Sequence, residues 1–213
     1  MIKLMIVDDH DLVRVGLRHI IGKVRHIQIV ADTGCGREAL KLCRELKPDV
    51  ILLDVSMPGL SGFEVTRRVV QSHPSSKIII LTVHTEAPFP ARLLEAGASG
   101  YLTKACAARE LLEAIDTVAH GGRYIGSDVA QQLALCLLPG SQSSPFDELS
   151  AREMEVSMML TQGTGVPAIS ELLCLSPKTI ATYKYRIYEK LGIKNEVELV
   201  RMAYQFGLLE SAA

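Results

Sequence analysis

Short apolar runs alternate with longer amphipathic segments through the first half of the chain. The runs that predict strands are mostly apolar and lie at residues 4–7, 27–31, 50–53, 78–81 and 99–102. Runs of this length without polar alternation are typical of parallel strands that are buried on both faces. The segments that follow them have apolar residues at helical spacing and lie at residues 12–21, 37–46, 62–71, 91–96 and 107–119. Five repeats of strand and helix predict an α/β fold with a doubly wound five-stranded parallel sheet.

The pattern changes after Gly122. Residues 127–138 fit one more helix, and residues 138–146 are rich in Pro, Gly and Ser, which is typical of a linker. Four short helices are then predicted at residues 150–161, 167–173, 176–191 and 195–206. We therefore predict three segments, which are an α/β domain at 1–122, a helix and linker at 123–145, and an all-α helix-turn-helix domain at 146–213.

Charge is balanced along the whole chain but not along one predicted helix. The formal net charge is −1, which argues against a polycationic coat for nucleic acid. Between Ser176 and Lys194, however, five basic residues face a single acidic one. That basic stripe is the footprint expected of one DNA-facing helix. No apolar run approaches the roughly 20 residues of a membrane span, and no signal-peptide pattern opens the chain, so we expect a cytoplasmic protein with no membrane partner.

Polar residues follow four of the predicted strands, at the edge where parallel α/β sheets bind ligands. They are Asp8 with Asp9, then Asp54, Thr82 and Lys104. Each alone has an ordinary explanation as a helix cap, a packed hydroxyl or a solvated lysine. Together they indicate a site, because clustered carboxylates invite a hard cation such as Mg²⁺. Asp54 is then the candidate nucleophile toward a phosphoryl group, whose oxygens Thr82 and Lys104 would hold.

This set resembles the receiver domain of two-component response regulators. Val7-Asp8-Asp9-His10 is similar to its acidic-pair motif, and Leu52-Leu53-Asp54-Val55-Ser56-Met57-Pro58-Gly59 to its phosphoacceptor loop. Thr82 and Lys104 match the switch hydroxyl and the lysine, and Tyr101 matches the aromatic that turns inward on activation. The resemblance implies a sheet order of 2-1-3-4-5. It also implies that Asp54 is the phosphoacceptor.

The same resemblance implies the remaining parts of the site. Mg²⁺ would be held by Asp8, Asp9, Asp54 and the backbone carbonyl of Ser56, with Ser56 and His84 beside the phosphoryl group as modulators of its hydrolysis. Val83 and Ala105 depart from the family, which usually has a smaller residue and often a proline there. The other histidines, His10 included, are predicted to be structural or surface groups.

The second domain resembles the LuxR-type effector domain of the NarL/FixJ family over about residues 146–209. The motifs are Leu149-Ser150-Ala151-Arg152-Glu153, Leu175-Ser176-Pro177-Lys178-Thr179 and Lys190-Leu191-Gly192-Ile193. In helix 176–191, Ile180, Ile187 and Leu191 form the buried stripe. From charge alone, an ordinary amphipathic helix would remain the simpler interpretation. The predicted DNA-binding residues are Lys178, Thr179, Ala181, Thr182, Tyr183, Lys184, Tyr185, Arg186 and Lys190.

Within that family the chain is similar to the GacA/UvrY group, on motifs such as Ser144-Pro145-Phe146-Asp147 and Cys174-Leu175-Ser176-Pro177-Lys178. The turn at 163–167 departs from the pattern. The resemblance implies a phosphorylation-activated DNA-binding transcriptional regulator that acts at small regulatory RNA genes. Its partners would be a hybrid sensor histidine kinase of the GacS/BarA type, promoter DNA and RNA polymerase, with a homodimer formed on phosphorylation.

Two other functions use the same residues. A metal-dependent phosphohydrolase could use Asp54 as nucleophile, but it needs a general acid two residues later, where Ser56 cannot serve. A DNA-binding or adaptor protein that ignores phosphorylation would leave the acidic set without a use. We therefore expect no enzyme beyond the chain's own phosphoryl transfer and slow dephosphorylation.

Overall fold

A computed structural model describes residues 1–83, 89–136, 144–206 and 208–209 of the chain. In these residues a six-stranded parallel sheet has the order β2-β1-β3-β4-β5-β6. The strands are β1 (Ile2–Val7), β2 (Ile27–Thr33), β3 (Val50–Leu53), β4 (Lys77–Thr82), β5 (Gly100–Thr103) and β6 (Tyr124–Ile125). The predicted doubly wound sheet is confirmed, and the two-residue β6 extends it beyond the five predicted strands.

Helices cover both faces of the sheet, which is why its central strands are mostly apolar. They are α1 (Asp11–Ile21), α2 (Gly36–Leu46), α3 (Gly62–Ser72), α4 (Phe89–Glu95), α5 (Ala108–Ala119) and α6 (Ser127–Cys136). Alternate residues of β1 point to opposite faces, so Leu4 and Ile6 pack with α1 and α5 while Met5 and Val7 pack in the cluster on the other face. The sheet therefore has two apolar cores.

The C-terminal domain is helical in its described part. Its elements are a 3₁₀ turn at Pro145–Glu148 and helices α7 (Ala151–Thr161), α8 (Val166–Leu173), α9 (Pro177–Leu191) and α10 (Glu196–Gln205). Side-chain caps start three of these helices, where Ser150, Ser176 and Asn195 each accept a hydrogen bond from the backbone of the first turn. The buried stripe of Ile180, Ile187 and Leu191 is confirmed. The 3₁₀ turn lies where the sequence predicted the end of a linker.

The two domains pack against each other instead of lying apart on a linker. The apolar core on the α3 side of the sheet continues without a break into the helices of the C-terminal domain. Arg92 on α4 donates a 2.7 Å hydrogen bond to the carbonyl of Asp147 and another to that of Leu149. A methyl group added at Gly59 would lie 3.9 Å from Leu172 on α8. No helix within the described ranges has the length and apolar character of a membrane span.

Candidate functional site

The backbone ladder of the sheet brings the polar strand ends to one edge. The N–H of Asp54 donates to the carbonyl of Val7 at 2.8 Å, and the N–H of Asp8 donates to that of Thr33 at 3.0 Å. The N–H of Lys104 donates to the carbonyl of Thr82 at 2.9 Å. Residues that directly follow parallel strands are thereby held side by side.

Lys104 bridges two of the acids. Its Nζ lies 2.8 Å from Asp54 Oδ2 and 2.8 Å from Asp8 Oδ2. Burial opposes the positive charge of Lys104, but its bonds to Asp54 and Asp8 outweigh burial and raise its pKa. Asp54 is itself only 2% exposed. The phosphoacceptor candidate therefore lies at the bottom of a site and is held there by one ammonium group.

The acids can also accommodate a metal ion. One ligand atom each from Asp8, Asp9, His10 and Asp54 lies within 4.8 Å of the other three. Oδ1 of Asp9 is buried and accepts no hydrogen bond from the described residues, although Nδ1 of His10 lies 3.0 Å away. An orphaned, buried carboxylate oxygen beside other carboxylates fits a hard divalent cation such as Mg²⁺. His10, which the sequence predicted to be a structural or surface group, belongs to this cluster.

The loop after β3 surrounds Asp54 closely. The N–H of Ser56 donates to Asp54 Oδ1 at 3.3 Å, so the loop folds back on the carboxylate. At Gly62, where α3 begins, an added Cβ would lie 2.5 Å from the carbonyl oxygen of Asp54. Only glycine allows α3 to start this close to the backbone of Asp54.

The two switch candidates are completely buried. Thr82 ends β4, and the ring of Tyr101 lies inside the core at β5. Burial first, and then the negative charge of Asp54, raise the pKa of Tyr101. The ring is therefore shielded from solvent in this arrangement of the domains. His84 lies outside the described residues.

A cavity of about 340 Å³ lies over Asp54, and both domains line it. The first domain contributes His10, Val13, Asp54, Ser56, Val83 and Lys104. The second contributes five residues from the end of α7 and from the chain after α10, which we call the roof: Met158, Thr161, Gln162, Leu208 and Leu209. The roof could not be predicted from the sequence, because no local motif indicates which surface a helix end will cover.

A second group of charges joins the domains through α3 and α7. Arg152 Nη1 lies 2.8 Å from Glu64 Oε2 and 2.5 Å from Glu155 Oε2. Glu64 also binds Arg67 and Arg68, at 2.8 Å and 2.6 Å. We call these five residues the interface cluster. Its two carboxylates are almost completely buried, at 1% and 3% exposure.

The carboxylates of the interface cluster have opposite pKa shifts. Burial alone would raise the pKa of Glu64, but Arg68, Arg152 and Arg67 together lower it below its ordinary value. Burial and the charge of Glu64 raise the pKa of Glu155, and Arg152 only partly opposes them. Ser61 donates a hydrogen bond of 3.3 Å to Glu155 across the domain boundary. No motif in the sequence indicated these contacts.

The predicted DNA-binding residues on α9 fall into two groups. Six are exposed, with Tyr185 exposed to 68%: Lys178, Ala181, Thr182, Tyr185, Arg186 and Lys190. Three are half-buried: Thr179, Tyr183 and Lys184. The exposed group presents cationic, aromatic and small polar side chains, which suit phosphate and base contacts in a groove.

Several of these residues already have intramolecular partners. Lys184 binds Glu196 at 2.5 Å and lies 5.6 Å from the centroid of the Tyr188 ring. Lys190 binds Glu153 at 2.7 Å. Tyr183 lines a crevice of about 450 Å³ between the domains, together with residues of α3 and the interface cluster. One edge of α9 therefore faces the first domain.

Comparison with known proteins identifies the class. The model of the response regulator receiver domain matches residues 4–116, and that of the bacterial regulatory proteins of the luxR family matches residues 147–203. The chain belongs to the response regulators that join a receiver domain to a LuxR-type DNA-binding domain.

Relatives and solved structures agree with this family. The chain is 48% identical to the response regulator GacA of Pseudomonas aeruginosa over 100% of both chains. It is 48% identical to the response regulator UvrY of Escherichia coli K12 over 98% of this chain and 96% of that one. A structure of the Salmonella typhimurium response regulator RcsB covers 96% of this chain and 98% of its own at 24% identity, with a TM-score of 0.78. The fold of that regulator is shared.

Proposed function

We propose that this protein is a transcriptional regulator that binds promoter DNA after a sensor histidine kinase has transferred a phosphoryl group to Asp54. The observation that carries the proposal is the convergence of Asp8, Asp9 and Asp54 on one edge of the sheet, with Lys104 bridging two of them. Full-length similarity to GacA and UvrY supports it. The protein would act in the cytoplasm, where kinase and promoter DNA meet.

The phosphoryl transfer needs little beyond positioning and charge compensation. A carboxylate oxygen of Asp54 attacks the phosphorus of a phosphohistidine, the phosphorus–nitrogen bond breaks, and its electron pair returns to the imidazole. Asp8, Asp9, Asp54 and the carbonyl of Ser56 would hold Mg²⁺, which neutralises charge on the phosphoryl oxygens. Lys104 and the hydroxyl of Thr82 would bind those oxygens, and the buried Tyr101 would support the closed position of Thr82. Slow hydrolysis of the acyl phosphate is the only further reaction we assign to the chain.

The DNA-binding step would use α9. We assign phosphate or base contacts to the exposed Lys178, Ala181, Thr182, Tyr185 and Arg186. Thr179, Tyr183, Lys184 and Lys190 complete the predicted set, and Tyr183 would become available only when α9 moves away from the first domain. A homodimer on a two-fold site is expected, since two half-sites read together gain affinity. Two dimers of RcsB are bound to DNA in a solved structure of similar fold.

The kinase, the transcription partner and the target genes are inferred from the GacA/UvrY relatives. We propose a GacS/BarA-like hybrid kinase as the phosphoryl donor, RNA polymerase as the partner at the promoter, and small regulatory RNA genes as targets. This part rests on sequence similarity alone.

The test measures affinity for a small-RNA promoter before and after treatment with acetyl phosphate and Mg²⁺. We expect tighter binding after treatment of the wild type and no change in Asp54→Asn. Asp128→Asn is the matched control, because it removes an exposed carboxylate on α6 that does not belong to the cluster. Tyr185→Ala should weaken binding by both forms. Equal affinity of all forms before and after treatment would contradict phosphorylation control of DNA binding.

A further inference from the structure

We propose that the roof selects the phosphoryl donor by size. In the packed arrangement of the domains, Asp54 is accessible to a small acyl phosphate, and a phosphohistidine carried on a protein helix reaches it only after the second domain has moved away. The inference rests on the proposed function of Asp54 and concerns which class of donor can serve it.

The roof residues come from two places in the DNA-binding domain. Met158, Thr161 and Gln162 come from the end of α7, and Leu208 and Leu209 follow α10. All five line the same cavity as Asp54, Ser56 and Lys104. The approach to the phosphoacceptor is therefore bounded by the DNA-binding domain as well as by the receiver domain.

The cavity over Asp54 is much smaller than a donor helix but larger than acetyl phosphate. Three turns of a helix of about 10 Å diameter occupy roughly 1,300 Å³, which is several times the cavity of about 340 Å³. Acetyl phosphate occupies on the order of 100 Å³, a few times the roughly 30 Å³ of one liquid water. In-line attack requires the phosphorus about 3–3.5 Å from the carboxylate oxygen. The cavity has room for the small donor, whereas a helix can bring its phosphohistidine this close to Asp54 only if the roof moves aside.

Cross-domain contacts away from Asp54 hold the roof in place. The interface cluster joins α3 to α7 through Arg152 and Glu64, and Arg92 binds the carbonyls of Asp147 and Leu149 just before α7. Arg68 adds a 3.4 Å hydrogen bond to the carbonyl of Leu172. None of these contacts includes Asp54, Lys104 or a metal ligand. The roof can therefore be released by substitutions that leave the phosphoryl-transfer residues unchanged.

Full-length protein is phosphorylated by two donors in parallel in the presence of Mg²⁺. One is acetyl phosphate, and the other is the histidine-phosphotransfer domain of a BarA-type hybrid kinase, charged on its histidine. Glu64→Lys places a positive charge next to Arg152 and should separate the domains. Arg92→Ala removes the hydrogen bonds to the carbonyls of Asp147 and Leu149, which are a separate cross-domain contact. Arg67→Ala is the matched control, because it also removes a bond to Glu64 but leaves both cross-domain contacts in place.

We expect Glu64→Lys and Arg92→Ala to raise the rate of phosphorylation by the protein donor by about tenfold. This is the result expected if each substitution increases the fraction of molecules with separated domains about tenfold. The rate with acetyl phosphate should stay within about twofold of wild type, and Arg67→Ala should leave both rates unchanged. Small-angle scattering reports whether the domains open. Equal acceleration with both donors, or opening without acceleration with the protein donor, would overturn the inference. So would a wild type whose domains are already apart in solution.

If neither variant opens the domains, the roof itself is shortened by Gln162→Ala with Leu209→Ala. The donor ratio is the rate with the protein donor divided by the rate with acetyl phosphate. An unchanged ratio in the double variant would overturn the inference, and a higher rate with the protein donor alone would support it. Asp54→Asn separates the two proposals. If this variant is phosphorylated as fast as the wild type, the proposed phosphoacceptor is wrong, whereas the donor ratio tests only the roof.

Discussion

Two groups of carboxylates differ in how their charge is balanced. One contains Asp54, directly after β3, and the other contains Glu64, in the first turn of α3. In the first group, Lys104 binds Asp8 and Asp54 but not Asp9, and an oxygen of Asp9 has no hydrogen bond from the described residues. In the interface cluster, Glu64 and Glu155 face three arginines, and every carboxylate oxygen has a donor: Ser61, Arg67, Arg68 or Arg152.

This difference in hydrogen bonding indicates that one cluster can bind a ligand and that the other stabilises the domain interface. Burying an ionised carboxylate is costly unless it is paired and hydrogen-bonded. The interface cluster meets that condition with the protein's own groups. The sheet-edge cluster, which consists of Asp8, Asp9 and Asp54, meets it only in part, which leaves coordination capacity for a cation and a phosphoryl group. The four predictions that follow test this contrast from the largest expected effect to the smallest.

Arg152→Ala should produce the largest loss of stability. It removes the cation that Glu64 and Glu155 share, and breaking a buried pair by removing one partner costs about 3–5 kcal/mol. The free energy of unfolding is measured by urea denaturation with the wild type alongside. Arg67→Ala removes a more exposed partner of Glu64 and should cost less than about 1 kcal/mol. Similar losses in both variants would mean that Arg152 has no special role in joining the domains.

Added Mg²⁺ should stabilise the protein through the sheet-edge cluster alone. At a concentration about one hundred times the dissociation constant, a ligand that binds only the folded state adds about 2.7 kcal/mol. The melting temperature is followed while Mg²⁺ is titrated at constant ionic strength. Stabilisation of Asp8→Asn with Asp9→Asn to the same extent as wild type would show that the ion binds elsewhere.

Asp9→Asn should separate stability from metal binding. Removing one negative charge next to Asp8 and Asp54 relieves repulsion, so we expect the metal-free protein to gain about 1 kcal/mol. The same change removes a ligand, and Mg²⁺ should bind at least about tenfold more weakly, which corresponds to about 1.4 kcal/mol. Unfolding with chelator present and calorimetric titration give the two quantities. A metal-free variant less stable than wild type would contradict the contrast between the clusters.

Glu155→Gln should have the smallest effect, and its sign depends on pH. The pKa of Glu155 is raised, so the folded protein holds its proton more tightly than the unfolded chain, and ionisation destabilises the fold as pH rises. The glutamine variant should be more stable than wild type by about 1 kcal/mol or less at neutral pH. That advantage should shrink as pH falls through the raised pKa toward the ordinary value of 4.5.

Glu64→Gln is the internal control for that prediction. The pKa of Glu64 is lowered, so its ionised form stabilises the fold above pH 4.5, and the stability is lost as pH falls below that value. The substitution should therefore destabilise the protein at neutral pH. Denaturant midpoints between pH 4 and pH 8 distinguish the variants. Destabilisation by both glutamine substitutions at neutral pH would contradict the assigned direction for Glu155.

The sequence was sufficient to predict the sheet, the order of the helices and the residues at the strand ends. Apolar period and helix caps are local signals, and the register of a parallel sheet carries Asp8, Asp54 and Lys104 to a common edge once the fold class is known. The two-residue β6 was missed because Tyr124 and Ile125 form too short a run to give a pattern.

Only the tertiary structure decided how the two domains meet. Met158, Gln162 and Leu209 belong to helices and turns whose local pattern is unrelated to Asp54, and their place over the cavity depends on domain packing. The same holds for the pair formed by Glu64 and Arg152, which are 88 residues apart in the chain. Periodicity records which face of a helix is apolar, and it contains no information on which distant surface that helix will cover. The residues of the candidate phosphoryl-transfer site could therefore be predicted from the sequence, and the roof that packs over them could not.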